Sequence, residues 1–129
     1  MPATDVVYYQ ELDGSVPVLD WLTEIGRRDR RAVAKCAARI DTLRQQGHEL
    51  RRPIADYLRD GIYELRIRAG RVQYRILYFF HRQNAVVIAH GLVKEREVPD
   101  VDIDRAITRK KEFERAPARH SFREETSNG

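Results

Sequence analysis

The chain has 129 residues, a length that is enough for one globular domain and too short for two. Of these residues, 42% are hydrophobic and 34% are charged. A formal net charge of +4 favours an anionic partner. Cys36 is the only cysteine, so no disulfide can form within the chain. No apolar run approaches the roughly 20 residues of a membrane span, and the N-terminus lacks the pattern of a signal peptide. We therefore expect a cytoplasmic protein without membrane contact.

The first half of the chain predicts one strand and two helices. Val6 to Leu12 has the β-branched and aromatic residues typical of a strand. Ser15 can cap a first helix, which Gly26 ends or interrupts. Asp29 can cap a second helix, whose apolar residues recur every three or four positions until Gly47 stops it.

The second half predicts a meander of strands and a last helix. Residues 48–60 are expected to form a loop or a short helical turn. Strands follow over 62–68, 72–81 and 85–94, as their alternation and their aromatic and β-branched content indicate. The spacing of apolar residues after Pro99 predicts a helix over 100–115.

The order of these elements, β-α-α-β-β-β-α, predicts the fold class. Strands joined by short hairpins and helices grouped apart from them are typical of an α+β domain. We expect an antiparallel meander that packs against helices on one face. Residues 1–116 would form this single domain, and the polar residues 117–129 are expected to be a disordered tail.

Positive charge concentrates in the middle of the chain. Residues 51–82 contain eight arginines against three acids, and the guanidinium group binds phosphate oxygens two at a time. The sequence has no phosphate-loop, nucleophile or zinc motif, and its four histidines lack ligand spacing. We therefore expect no metal and no cofactor, and we expect Cys36 to lie in the core.

Alternation along the strands assigns the charged side chains to one face, which would point outward. Hairpin turns at Ala69-Gly70 and Gln83-Asn84 would align three rows of side chains across that face. The rows are Arg66, Gln73 and Lys94; Glu64, Arg75 and Leu92; and Ile62, Leu77 and His90. The cations Arg66, Arg75 and Lys94 would surround one spot and attract a phosphate. A solvated face with ordinary cross-strand ion pairs is the alternative.

Four segments together resemble a known family. The runs from Leu58 to Arg66, from Tyr74 to Phe80 and from His90 to Lys94, followed by Pro99, resemble the phage-derived HigB-like branch of the RelE/ParE toxin superfamily. The resemblance spans about residues 5–115. It implies a RelE-like fold and the toxin of a type II toxin–antitoxin system, which stops translation and growth by cleaving messenger RNA on the translating ribosome. It also implies that basic residues of the concave sheet face do much of the chemistry.

The resemblance and the predicted rows point to the same catalytic residues. A metal-independent endoribonuclease would align the 2′-hydroxyl of RNA for attack on the adjacent phosphate. Arg66 and Arg75 would bind phosphate oxygens, and Lys94 would stabilise charge or donate a proton. Glu64 and His90 are the candidates for proton transfer. The predicted substrate-binding residues are Arg68, Arg71, Gln73 and Arg96.

Two other functions remain open. A toxin of the same fold could act on a protein target, as the gyrase-poisoning ParE branch does. The chain could also bind RNA without cutting it, because Glu95 and Glu97 weaken the positive field beside Lys94. The expected partners are a cognate helix-turn-helix antitoxin (HigA-like), messenger RNA and the ribosome, with operator DNA bound only through the antitoxin complex.

Overall fold

The computed structural model of the protein describes residues 3–94 and 96–124, which form three helices and one six-stranded sheet. The elements are β1 (Asp5–Tyr9), α1 (Pro17–Arg28), α2 (Arg30–Gln46), β2 (Ala55–Arg59), β3 (Ile62–Ala69), β4 (Val72–His81), β5 (Ala85–Val93), α3 (Asp100–Arg115) and β6 (Ser121–Phe122). The strands lie in the order β2-β3-β4-β5-β1-β6, with β1 parallel to β5 and the other neighbours antiparallel. The predicted α+β class is confirmed, although the order of elements differs in detail.

Helices cover both faces of the sheet, whereas the sequence predicted helices on one face. α1 and α2 pack on the face that contains Ile76 and Tyr78. α3 packs on the opposite face, against Leu77 and Phe79. Because β4 is apolar at successive positions, both of its faces must be buried, and alternation alone could not show which helix covers which face.

The boundaries of α2 follow the local sequence, whereas α1 departs from it at two positions. Asp29 caps α2 by accepting two backbone N–H bonds, and Gly47 ends α2 with a φ of 52°, as predicted. Ser15 does not cap α1, because its hydroxyl group donates to the carboxylate of Asp13 instead. α1 also continues past Gly26, which neither ends nor interrupts it.

The segment over 48–60, predicted as a loop or a short helical turn, begins within a 3₁₀ turn (Gly47–Glu49) but also contains β2, an edge strand. Ala55 and Tyr57 of β2 pair with Leu65 and Tyr63 of β3. The five residues of β2, Ala-Asp-Tyr-Leu-Arg, are too few and too mixed to predict a strand. An edge strand tolerates such a sequence, because only one of its sides pairs and the other meets solvent.

The C-terminal segment lies along β1. Residues 117–122, the first part of the predicted disordered tail, form a 3₁₀ turn and β6. His120 is buried there, and Arg123 pairs with Asp5 through two hydrogen bonds to Oδ2 and one to Oδ1. Residues 125–129 of that tail lie outside the described residues. Within the described chain, no helix combines the length and the apolar character needed to cross a bilayer.

Candidate functional site

The β3–β4 hairpin turns one residue later than predicted, and the pairing shifts by two. Arg66 faces Arg75, and Arg68 faces Gln73, whereas the predicted partner of Arg75 was Glu64. A shift by two keeps every side chain on its predicted face. The face was therefore assigned correctly, and the neighbours within it were not.

The predicted partners across β4 and β5 are confirmed near the site. Arg75 faces Leu92, and Leu77 faces His90. Lys94 lies just beyond β5, and its backbone N–H donates to a β4 carbonyl oxygen at 3.0 Å. The rows across the sheet are therefore Arg66, Arg75 and Leu92, and then Glu64, Leu77 and His90.

Glu64 lies at the centre of a network of ion pairs. Its Oε2 accepts hydrogen bonds from Nε and Nη2 of Arg66 at 3.2 and 2.9 Å. Its Oε1 lies 3.0 Å from Nε of Arg75, but that N–H does not point at the oxygen, so the contact is an ion pair without a hydrogen bond. Arg75 Nη2 donates to Gln73 at 2.9 Å, and Arg66 Nη2 lies 3.5 Å from Asp56.

Burial strengthens the ion pairs of this network. Glu64 is 6% exposed and Arg75 is 8% exposed, so solvent screens their attraction only weakly. The expectation that this face is fully open to solvent was therefore wrong, because α3 covers part of it. Both carboxylate oxygens of Glu64 are engaged by guanidinium groups, so Glu64 fixes the position of the two arginines.

The network forms one wall of an open cleft of about 540 Å³ between β2, β3 and the segment that leads into α3. Its charged lining residues, which define the arginine cleft, are Arg59, Arg66, Arg75, Arg96, Asp56, Glu64, Glu97 and Asp100. The four arginines and four carboxylates cancel in formal charge. The cleft therefore has no overall positive charge, and its arginines stand out only through their local arrangement.

A family model of the phage-derived Gp49-like proteins (DUF891) matches residues 21–111, which is more than two thirds of the chain. The chain belongs to this family. The phage-derived Gp49-like proteins are related to toxins of the RelE and ParE type, in agreement with the resemblance of the sequence. No curated protein matches the chain. All four arginines of the arginine cleft fall inside the matched region of this Gp49-like protein.

His90 of the Gp49-like protein lies against α3 and is absent from the described lining of the arginine cleft. Its Nε2 is 2.7 Å from the carboxylate of Asp102, and its Nδ1 is 3.4 Å from Nη1 of Arg109. Burial lowers the pKa of His90 below its ordinary value of 6.5, although the hydrogen bond to Asp102 opposes that shift. Burial therefore favours the neutral ring. Sequence reasoning missed both partners, because α3 packs on the face predicted to be open.

The other predicted residues surround the cleft at different distances. Arg96 lines it and is exposed. Lys94, Arg68 and Arg71 are also exposed but do not belong to its described lining, and Arg68 Nε donates to the Gly70 carbonyl oxygen at 3.2 Å. Glu95 lies outside the described residues.

Asp56 and Arg59 are among the lining residues that the sequence did not predict. Both lie on the missed strand β2, where Arg59 Nη2 is 2.8 Å from Asp104 and 3.5 Å from Asp100. The only signal was the run from Leu58 to Arg66 that resembles the family, since Arg59 lies inside it and Asp56 lies two residues before it. Among the described residues, no three His, Cys, Asp or Glu side chains come together in a way that could hold a metal ion.

Proposed function

We propose that this protein is a HigB-like toxin of a type II toxin–antitoxin system and a metal-independent endoribonuclease that cleaves messenger RNA on the translating ribosome. One observation supports the proposal above the others: Arg66 and Arg75 lie side by side at the wall of an open cleft, held by Glu64. Two guanidinium groups fixed in advance form a site for the charge that develops on a phosphate during cleavage.

In the proposed reaction, the 2′-hydroxyl of RNA gives its proton to water and attacks the adjacent phosphorus, and the bond to the 5′-oxygen of the next nucleotide breaks. The products are a 2′,3′-cyclic phosphate and a 5′-hydroxyl. Arg66 and Arg75 bind the non-bridging oxygens, and Arg96 holds a flanking phosphate together with Arg68 and Arg71. Lys94 stabilises the leaving oxygen or gives it a proton.

The contacts of Glu64 and His90, the two remaining candidates, favour structural roles over proton transfer. Glu64 has both oxygens on arginines, so we assign it the positioning of Arg66 and Arg75 ahead of the role of base. Burial lowers the pKa of His90 and so favours its neutral form, but the contact with Asp102 assigns His90 to the packing of α3. Alignment and charge stabilisation therefore supply most of the proposed catalysis.

A second candidate function follows from the charge of the cleft. Four carboxylates among its lining residues favour binding of RNA without cleavage, because they oppose the extra negative charge of a transition state. The relation to ParE keeps a protein target such as gyrase as a further alternative. Each alternative predicts a different first event after the protein is expressed in a cell.

Induced expression tests these functions. A ribonuclease stops protein synthesis first, a gyrase poison triggers the DNA-damage response first, and a mere binder is tolerated. Arg75→Ala should abolish growth arrest, and Lys94→Ala should weaken it. Arg75→Lys should also reduce growth arrest, because it removes the two-pronged guanidinium group while keeping the positive charge. Arg115→Ala is the matched control, since Arg115 forms an exposed pair with Glu112.

Purified protein tests the chemistry directly. Cleavage should persist after chelation of divalent metals, provided that ribosome integrity is controlled, and circular dichroism should show that the Arg75 variants are folded. Growth arrest by a folded Arg75→Ala protein would refute the assigned site. Cleavage that needed added zinc or manganese would refute the metal-independent mechanism.

A further inference from the structure

A row of cations lies on α2, on the sheet face opposite the arginine cleft. Arg31, Lys35 and Arg39 recur every four residues, about 6 Å apart along the helix axis. Each cation directly precedes one of the buried residues Ala32, Cys36 and Ile40, and each is at least partly exposed. We call these three residues the α2 ridge.

The α2 ridge differs from the cleft in its ion pairs. The arginines at the wall of the cleft pair with carboxylates, whereas no ridge residue forms an ion pair within residues 3–94 and 96–124. On α2, the only acid is Asp41, which pairs with Arg44. Like charges four residues apart destabilise a helix, so helix stability does not account for the row.

The ridge extends to the open edge of the sheet. Lys35 Nζ lies 3.4 Å from the carbonyl oxygen of Arg68, and β2 covers β3 only as far as Leu65. A shallow pocket at this edge contains three cations and no acid; it is lined by Lys35, Ala38, Arg39, Thr42, Ile67 and Arg68. Arg66, two residues before Arg68 on β3, belongs to the cleft, so the cations continue around the edge from one face to the other.

The chemistry of the ridge favours one class of ligand. Protein interfaces centre on apolar anchors, but the exposed large hydrophobic residues of the described chain all lie outside α2; they are Leu12, Tyr57, Val72, Val93 and Val101. Proteins that bind single-stranded RNA stack bases on aromatic rings, and the lining of this edge pocket contains no aromatic residue. Evenly spaced cations without apolar or aromatic groups suit the regular phosphate backbone of a duplex.

We propose that the α2 ridge binds the phosphate backbone of an RNA stem, outside the strand that enters the arginine cleft. The choice of RNA rests on the proposed function. The contact is independent of sequence and depends steeply on salt, because each phosphate contact releases condensed counterions. The ridge thus selects folded RNA, while the cleft acts on an unpaired strand.

The test compares two triple variants of the full chain. Arg31→Gln, Lys35→Gln and Arg39→Gln remove the ridge charges. The control removes three exposed cations around α3 that form no ion pair among the described residues, by Arg105→Gln, Lys111→Gln and Arg119→Gln. Fluorescence anisotropy at several salt concentrations measures binding to a stem-loop RNA and to a single strand of the same length.

The ridge variant should bind the stem-loop about tenfold more weakly or worse, with the log–log salt slope smaller by about three. Its binding to the single strand, and both affinities of the control variant, should change by less than about threefold. Equal loss for both RNAs, or equal loss in the control variant, would overturn the duplex assignment. Binding of a poly-glutamate chain to the ridge as tightly as the stem-loop would also overturn the duplex assignment, because it would indicate that the ligand is an acidic protein.

Binding is measured without cleavage, so the two proposals fail separately. Absent cleavage together with the expected loss of stem-loop binding would refute the ribonuclease and support the ridge. Unchanged stem-loop binding by the ridge variant would refute the ridge, whether or not the protein cuts RNA.

Discussion

At the scale of single residues, Glu64 determines the geometry of the site, because one buried carboxylate holds two arginines. Glu64→Gln leaves Arg75 buried beside a neutral amide, and we expect the free energy of unfolding to fall by about 3 kcal/mol. Urea denaturation measures this change. The control is Glu112→Gln, which removes an exposed ion pair with Arg115. It should change the free energy of unfolding by less than about 0.5 kcal/mol. Equal effects of the two substitutions would show that the buried network adds no stability.

His90 predicts a dependence of stability on pH. Its pKa is lowered in the folded protein, so the unfolded chain takes up the proton first as the pH falls below 6.5. The stability that His90 contributes is therefore complete above pH 6.5 and is lost as the pH falls through the folded pKa. His90→Gln should flatten the decline of the urea midpoint between about pH 7 and about pH 5. Identical slopes for the variant and the unmodified protein would contradict this explanation.

At the scale of elements, the contact between α1 and β5 depends on a glycine. A Cβ atom at Gly91 would overlap the indole ring of Trp21 on α1. Gly91→Ala should therefore lower the free energy of unfolding by about 2 kcal/mol, because neither the strand nor the ring can move away freely. Thermal or urea denaturation measures the loss.

The matched control for that substitution is Gly26→Ala on α1. A Cβ atom there would meet Val33 at 3.4 Å, a contact that a small shift accommodates, and alanine favours the helix by about 1 kcal/mol. The free energy of unfolding of the Gly26→Ala protein should therefore stay the same or rise. A stable Gly91→Ala protein would mean that α1 packs less closely on β5 than the structure indicates.

At the scale of the whole molecule, the proposed toxin requires a partner that silences it. We predict a tight complex with a co-encoded helix-turn-helix antitoxin, because a net charge of +4 speeds association with an acidic segment. The pair should co-elute in size-exclusion chromatography after co-expression. Gel shifts should show operator binding by the complex and none by this chain alone. Specific binding of the promoter by the isolated chain would contradict this division of roles.

The sequence by itself determined the local structure of this protein. Apolar periodicity, the Asp29 cap and the Gly47 stop predicted α2, and alternation predicted β3 to β5 and assigned Arg66 and Arg75 to one face. These features depend on neighbours within a few positions, so short stretches of sequence contain the information.

Only the tertiary structure decided which residues meet across larger separations. The two-residue shift between β3 and β4 kept each face and therefore left no trace in the alternation, yet it made Arg75 the partner of Arg66. The short edge strand β2 gains its stability from pairing with β3 and brings Asp56 into the cleft. α3 could cover either face of the sheet, and its packing against Leu77 turned a predicted open face into a half-covered cleft of balanced charge. Pairing and packing energies between distant segments made these choices, and local patterns do not record them.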